Sequence, residues 1–314
     1  MKKFIITIDT EGDNLWAWKP GDIVKTENTL YLDRFQNLAN EYGFRPVWLT
    51  NYEMMQDDRY VEFISKVEQN RAGELGMHLH AWNTPPEYDL PKAQKGQPYL
   101  IEYPSGVMEE KIAIMTETIY QKTKIKPVSH RAGRWAMNKQ YFELLEKYGY
   151  KIDCSVTPHI DWSAYPGQSY GSKGSNYSSC SEQPYKIGNI TEIPVTIRTT
   201  HSIIIPENHN VLNVLRAAKR TVKAQTIWLR PNGKNINEMK WLLNSVYESD
   251  ADYIMFMLHS SEFMPGGSPT FRTSESIEKL YTDIRILFEI ASKRYEGCTL
   301  REYEHLLKEG SMNE

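Results

Sequence analysis

Cysteine is scarce in this chain: three residues, Cys154, Cys180 and Cys298, stand far apart. An odd, scattered set forms neither a disulfide framework nor the paired spacing of a cysteine zinc site, so a reducing, cytoplasmic setting is expected. Long apolar runs are missing as well. The stretch Phe4-Ile5-Ile6-Thr7-Ile8 is cut off by Asp9, which leaves it too short for the apolar centre of a signal peptide. No other run approaches the ~18 residues of a membrane span. A surplus of charge is also absent, since 37 Lys+Arg against 40 Asp+Glu give a formal net charge of -3. That balance creates no broad basic field and argues against nucleic acid as a partner.

What is present is ordinary globular material, 314 residues of which 40% are hydrophobic and 25% charged. The length suits one elaborated domain over residues 1–314, with loop insertions near 84–106 and 158–190. Aromatic content is 12%, from 20 Tyr, 8 Trp and 9 Phe. Flat amphipathic rings of this kind serve carbohydrate surfaces as well as cores.

Along the chain, β-rich runs alternate with helix-patterned stretches. Strands are expected at residues 3–9, 46–50, 74–80, 127–130, 151–156, 193–199 and 253–259. Helices are expected at 31–42, 60–70, 107–123, 139–148, 210–223, 237–247, 273–295 and 299–307, with Gly43 and Gly149 closing two of them. Such alternation marks an α/β fold with a parallel sheet and helical crossovers.

In an α/β barrel the reactive groups stand at the carboxyl ends of the strands. Here those ends are polar: Asp9-Thr10-Glu11-Gly12-Asp13, His78-Leu79-His80, His130-Arg131, Asp153 and His259. One strand-end carboxylate alone is more often a helix cap or a structural ion pair. The two histidines say more, because residues i and i+2 of a strand share a face, so His78 and His80 can converge on one ion while Leu79 packs the other way. An acid from the first strand end would complete a site for Zn²⁺, Co²⁺ or Fe²⁺ with open positions. Trp82, Trp135 and Trp162 follow strand ends or lie in neighbouring loops and are candidates for stacking on sugar rings, although packing explains each about as well. The basic run 216–223 reads as a solvated helix face, His201, His209 and His305 as surface residues, and Cys154 as a small buried filler.

Taken together, Thr7-Ile8-Asp9-Thr10-Glu11, Glu74-Leu75-Gly76-Met77-His78-Leu79-His80, His130-Arg131-Ala132-Gly133-Arg134-Trp135, Asp153-Cys154-Ser155-Val156 and Met257-Leu258-His259 resemble the NodB-like polysaccharide deacetylases, the family 4 carbohydrate esterases. The run Asp9-Thr10-Glu11-Gly12-Asp13-Asn14 and His259-Ser260-Ser261-Glu262 look most like the branch containing the lipopolysaccharide-biosynthesis protein WalW. The resemblance implies an irregular (β/α) barrel of about seven parallel strands. It further implies a divalent metal, zinc first with cobalt, iron or nickel as alternatives, and a carbohydrate substrate that loses an acetyl group. Residue by residue, it makes Asp9 the base that activates water, Arg131 the group that orients it, His259 the acid for the leaving amine, and Asp153 a supporting acid. Thr10 departs from the family's second aspartate, which leaves Glu11, favoured here, or Asp13 as the oxygen ligand. Trp82 stands where the family's later histidine is usual, so His80 has to supply the second nitrogen beside His78. A backbone N–H after the Thr157-Pro158 turn is the expected oxyanion donor besides the metal. Two other readings stay open from sequence: hydrolysis of a small non-glycan amide, and a glycan-binding barrel without turnover.

Overall fold

The computed structural model describes residues 1–19, 21–201, 204 and 224–311. Its main sheet follows from apolar runs flanked by amphipathic helices. Strand β1 (Lys2–Thr10) lies next to one margin, with β10 (Tyr253–His259) outside it and β2 (Val47–Thr50), β3 (Glu74–Leu79), β4 (Ser129–Ala132), β5 (Ile152–Asp153) and β7 (Ile190–Glu192) following on the other side. These seven strands run parallel. The sheet curls into a half-barrel, as the α/β expectation requires. Strand β6 (Tyr185–Ile187) adds an antiparallel edge to β7, β11 (Tyr295–Gly297) pairs with the start of β1, and β8 (Ile197–Thr200) forms a separate two-stranded sheet with β9 (Gln225–Trp228). Between β7 and β10, Val195 N donates to Val156 O at 2.9 Å and Met255 N to Thr196 Oγ1 at 2.8 Å, so this segment bridges the two margins.

Alternation along the strands sorts side chains into two compartments. In β1, Phe4, Ile6 and Ile8 point outward into a core shared with the helices, while Ile5 points into a smaller core inside the curl with Val47, Leu49, Ile152, Cys154 and Met255. The inward row of β1 continues through Thr7 to Asp9, apolar at the bottom and polar at the mouth. Met77 and Leu79 face outward in β3, which turns His78 and His80 inward. The helices are α1 (Leu32–Glu41), α2 (Asp58–Gln69), α3 (Ser105–Thr123), α4 (Lys139–Lys147), α5 (Ile236–Tyr247), α6 (Ser274–Ser292) and α7 (Leu300–Ser311). Helix α2 is capped by Asp57, whose carboxylate accepts Arg59 N at 3.0 Å.

Several expected boundaries shift. Of the strand expected at 151–156, only Ile152–Asp153 pairs. The strand expected at 193–199 is replaced by β8 beginning at Ile197, preceded by the β6–β7 hairpin, which turns through Gly188 at φ 61° and Asn189. That two-residue Gly-Asn turn is a legible hairpin signal that periodicity alone passed over. The helix expected to reach residue 295 stops at Ser292, because Tyr295–Gly297 turns back along β1. Residues 210–223, with the basic run 216–223 and His209, lie outside the described residues. No helix among the described residues is long and apolar enough to cross a membrane.

Candidate metal centre and active site

Parallel register brings the polar strand ends to one mouth. Asp9 pairs with His259 on one side and Leu49 on the other, and His78 pairs with Arg131. The chain continues one residue beyond each of β1 and β3, which places Glu11 and His80 above Asp9 and His78.

Glu11, His78 and His80 are all buried and form one group of close donors. His80 Nε2 lies 2.9 Å from Glu11 Oε2, His78 Nε2 lies 3.0 Å from His80 Nε2, and His78 Nε2 lies 3.5 Å from Glu11 Oε2. Ligand atoms about 2.1 Å from a shared ion stand roughly 3.0–3.4 Å from one another, and the three spacings lie within about 0.1 Å of that range, as a divalent site requires. The chemistry of the donors agrees with the distances. His78 Nδ1–H donates to Arg131 O at 2.9 Å, leaving the Nε2 lone pair turned toward its neighbours. Without an ion, two imidazole nitrogens and a carboxylate oxygen would crowd together with too few protons to share. The outer hydrogen bond that steadies a ligating imidazole is present at His78, whereas His80 Nδ1 is buried with no partner among the described residues. His80 is fixed instead by contact: a Cβ on Gly133 would stand 2.9 Å from its Nδ1 and 2.6 Å from Leu79 O. Burial lowers His80 to about 4, helped by the charge of His78, so its nitrogens are free of a second proton near neutrality.

Asp9 sits beside this group. Arg131 Nη1 donates to Asp9 Oδ1 at 2.6 Å, and its other nitrogens donate to Thr7 Oγ1 and Cys154 O. Burial alone would raise the Asp9 carboxyl; the Arg131 guanidinium and the imidazoles of His78 and His259 outweigh it and hold the group ionised. His259 Nε2 faces Asp9 Oδ2 at 3.8 Å and Glu11 Oε1 at 4.0 Å. Its Nδ1 lies 3.1 Å from Glu262 Oε2, and the same carboxylate oxygen accepts His259 N–H at 2.9 Å. Glu262 therefore both caps the turn after β10 and orients the ring.

A cleft of about 290 Å³ opens over these residues. Trp82, Trp135 and Trp162 all line it, joined by Trp16 and Tyr99. The rings brace one another: Trp82 stacks on Trp18 at 5.7 Å, and Trp135 and Trp162 both pack edgewise on Trp228. Arg134 and Trp135 adopt left-handed backbone angles, φ 56° and 63°, strain of the kind that gathers at functional sites. Arg134 lies over the Tyr99 ring and donates to Gln97 O and Pro166 O, tying the two insertion loops together as one wall of the cleft.

Three expected participants stand elsewhere. Asp13 is outside the donor group; its carboxylate accepts Glu27 N, Asn28 N and Asn28 Nδ2 and fixes the turn after β1. Asp153 does not line the cleft. It is fully buried, bonded to His130 Nδ1 at 2.6 Å and to Ser155, and paired with the buried carboxyl of Glu192. Burial opposes the charge on both carboxyls of that pair, but His130 outweighs it at Asp153 and holds that group below its ordinary value, while Glu192 is pushed well up and holds the proton. The N–H groups after Thr157-Pro158 are spent, His159 N on Tyr177 O and Ile160 N on Thr157 O. Sequence reasoning missed Glu53, which receives Gly12 N at 2.6 Å and so fixes the backbone beside Glu11, and Arg230, which lines the cleft next to His259. Arg230 follows a short β-rich run and precedes Pro231, a strand-end signal that went unread because that run was not assigned.

No protein-family model and no curated protein sequence matches the chain. Solved structures do. A candidate polysaccharide deacetylase from Mycobacterium smegmatis aligns over 94% of this chain and 87% of its own, with 14% identity and a TM-score of 0.52. The 4-alpha-glucanotransferase from Thermococcus litoralis aligns over 97% of this chain and 40% of its own, with 12% identity and a TM-score of 0.55. At such identities the likeness speaks for the fold, and the chemistry has to be argued from the site.

Proposed function

We propose that this protein is a metal-dependent deacetylase of the NodB-like type that removes an acetyl group, N-acetyl in the first instance, from an amino sugar of a cell-envelope polysaccharide or its precursor. Within that family we group it with the branch that resembles WalW, on its Asp9-Thr10-Glu11-Gly12-Asp13-Asn14 run and its His259-Ser260-Ser261-Glu262 ending. The observation that carries the reading is the placement of Asp9, fixed by Arg131 on one oxygen and facing His259 with the other, directly beside the Glu11, His78 and His80 donors.

Glu11, His78 and His80 would hold the ion, zinc first among the candidates. Bound there, it supplies Lewis acidity for the acetyl carbonyl and for water. Asp9 accepts the water proton at Oδ2, since Oδ1 is engaged by Arg131. His259 in its charged form donates from Nε2 to the departing amine, with Nδ1–H held by Glu262. The products are acetate and a free amine. The aromatic wall of Trp82, Trp135 and Trp162 favours a sugar over a small non-glycan amide as the occupant.

Acetate release from N-acetylated amino sugars and their oligomers, with zinc or cobalt added and with chelator, tests the proposal. Release that requires the metal is expected. Absence of release from every acetylated sugar by metal-loaded protein overturns it.

A further inference from the structure

Arg230 follows β9 and stands beside the tip of β10, on the far side of His259 from the metal ligands. Its backbone is pinned by Asn235, whose Nδ2 donates to Arg230 O at 2.9 Å while its Oδ1 accepts Asn232 N. Only Nη2 is engaged: it donates to Glu262, 3.4 Å from both oxygens, and abuts His259 Nδ1 at 3.0 Å, a contact and not a hydrogen bond when Nδ1 carries its proton to Glu262. Nε and Nη1 make no hydrogen bond among the described residues, the side chain is 29% exposed, and the residue lines both the metal cleft and the adjoining cavity.

A guanidinium with one edge fixed and the Nε/Nη1 edge open is a preorganised receptor for a planar or tetrahedral oxyanion, which it can take through two parallel N–H donors. The surrounding field points the same way. The charged side chains lining the cleft are Asp9, Glu11, Arg134 and Arg230. With a divalent ion on Glu11 that balance would be positive even with the Glu262 carboxylate beside Arg230 counted, and a low-dielectric cleft would focus it on an incoming anion. Geometry sets where the anion belongs. His259 delivers its proton to the leaving amine, so the sugar carbon bearing that amine lies against His259, and Arg230 is the next group outward.

We propose that Arg230 is a specificity-determining residue that receives an oxyanion, carboxylate or phosphate, carried by the substrate on a carbon next to the acetamido group. The inference rests on the deacetylase reading for its orientation and assigns the substrate class as an acidic rather than a neutral acetylated amino sugar.

The test compares N-acetylglucosamine, its 3-O-lactyl ether N-acetylmuramic acid, and N-acetylglucosamine 1-phosphate on metal-loaded wild-type protein, Arg230→Gln and Arg230→Lys. Affinity is measured by calorimetry and turnover as acetate release. Wild type is expected to bind at least one of the two acidic sugars tenfold or more tightly than the neutral one, and the one preferred distinguishes carboxylate from phosphate. Arg230→Gln is expected to abolish that ratio, and Arg230→Lys to retain only part of it. A wild-type ratio near one overturns the proposal. So does an Arg230→Gln protein that loses acidic and neutral sugars in equal proportion, because a residue that merely positions His259 would leave the ratio unmoved. Should no sugar release acetate, the deacetylase reading fails, while the binding ratios still decide the role of Arg230.

Discussion

Arg131 Nη1 donates to Asp9 Oδ1 at 2.6 Å within a pair almost wholly shielded from solvent, and the free Oδ2 of Asp9 faces His259 Nε2. The arginine comes from β4 and the aspartate from β1, so this contact crosses the inside of the curl. It orders the two halves of the mouth and aims the proposed base at once.

Removing one partner of such a pair leaves the other charge buried and alone. Arg131→Met is expected to destabilise the protein by about 3–5 kcal/mol, read from urea unfolding, and to abolish turnover. Asp9→Asn should reduce acetate release by about 10²–10⁴-fold while the bound metal is kept. Retained activity in Asp9→Asn would remove Asp9 from the role of base.

Gly133 lies so close to the ring of His80 that a methyl group there would push it. Since His80 Nδ1 has no hydrogen bond to hold it among the described residues, that displacement falls directly on the candidate metal site. Gly133→Ala is expected to bind zinc about 10–100-fold more weakly, in the range of changes to groups that orient metal ligands. A competition titration measures this, with unfolding midpoints as the control. Unchanged affinity would show that the ring yields without loss.

Asp57 links the segment carrying Asn28, and through it Glu11, to the start of α2. It accepts Thr26 Oγ1 at 2.9 Å, Thr29 Oγ1 at 3.2 Å and three Arg59 donors. Burial opposes its charge, but the Arg59 and Thr26 hydrogen bonds win and lower it to about 2. A depressed carboxyl stabilises the fold above its ordinary pKa of 3.8 and loses that contribution as pH falls toward 2. Asp57→Ala is therefore expected to lower stability by about 1 kcal/mol at pH 7, with a difference that shrinks below pH 3. A difference independent of pH would assign the loss to packing instead.

How much of this was legible before the structure follows from which signals are local. His78 and His80 were readable as a converging pair because strand alternation is a rule of two residues. Six of the seven parallel strands were readable from apolar runs separated by helical patterns, whereas β7 (Ile190–Glu192) was passed over for a strand expected at 193–199. Strands β9 and β11 are short and depend on long-range pairing, and β6 is three residues of a hairpin marked by its Gly188-Asn189 turn, so periodicity does not reveal them. The choice of Glu11 over Asp13 depended on the turn at Gly12, which aims one carboxylate into the mouth and the other at Asn28. Asp153 looked like a member of the site because the family resemblance made it a supporting acid on the strand expected at 151–156, but that strand stops at Asp153 and its carboxylate is taken by His130. Arg230 stands just past a strand that was not assigned, and Glu53 in a turn with no motif of its own.

The proposed chemistry requires Glu11, His78 and His80 to grip one divalent ion beside Asp9. Elemental analysis after zinc loading and exhaustive dialysis measures this directly. The prediction is one zinc per chain in wild type and in Asp9→Asn, with little or none in His78→Ala or Glu11→Ala that remain folded. Wild type without zinc, or full occupancy in the folded ligand variants, would contradict it.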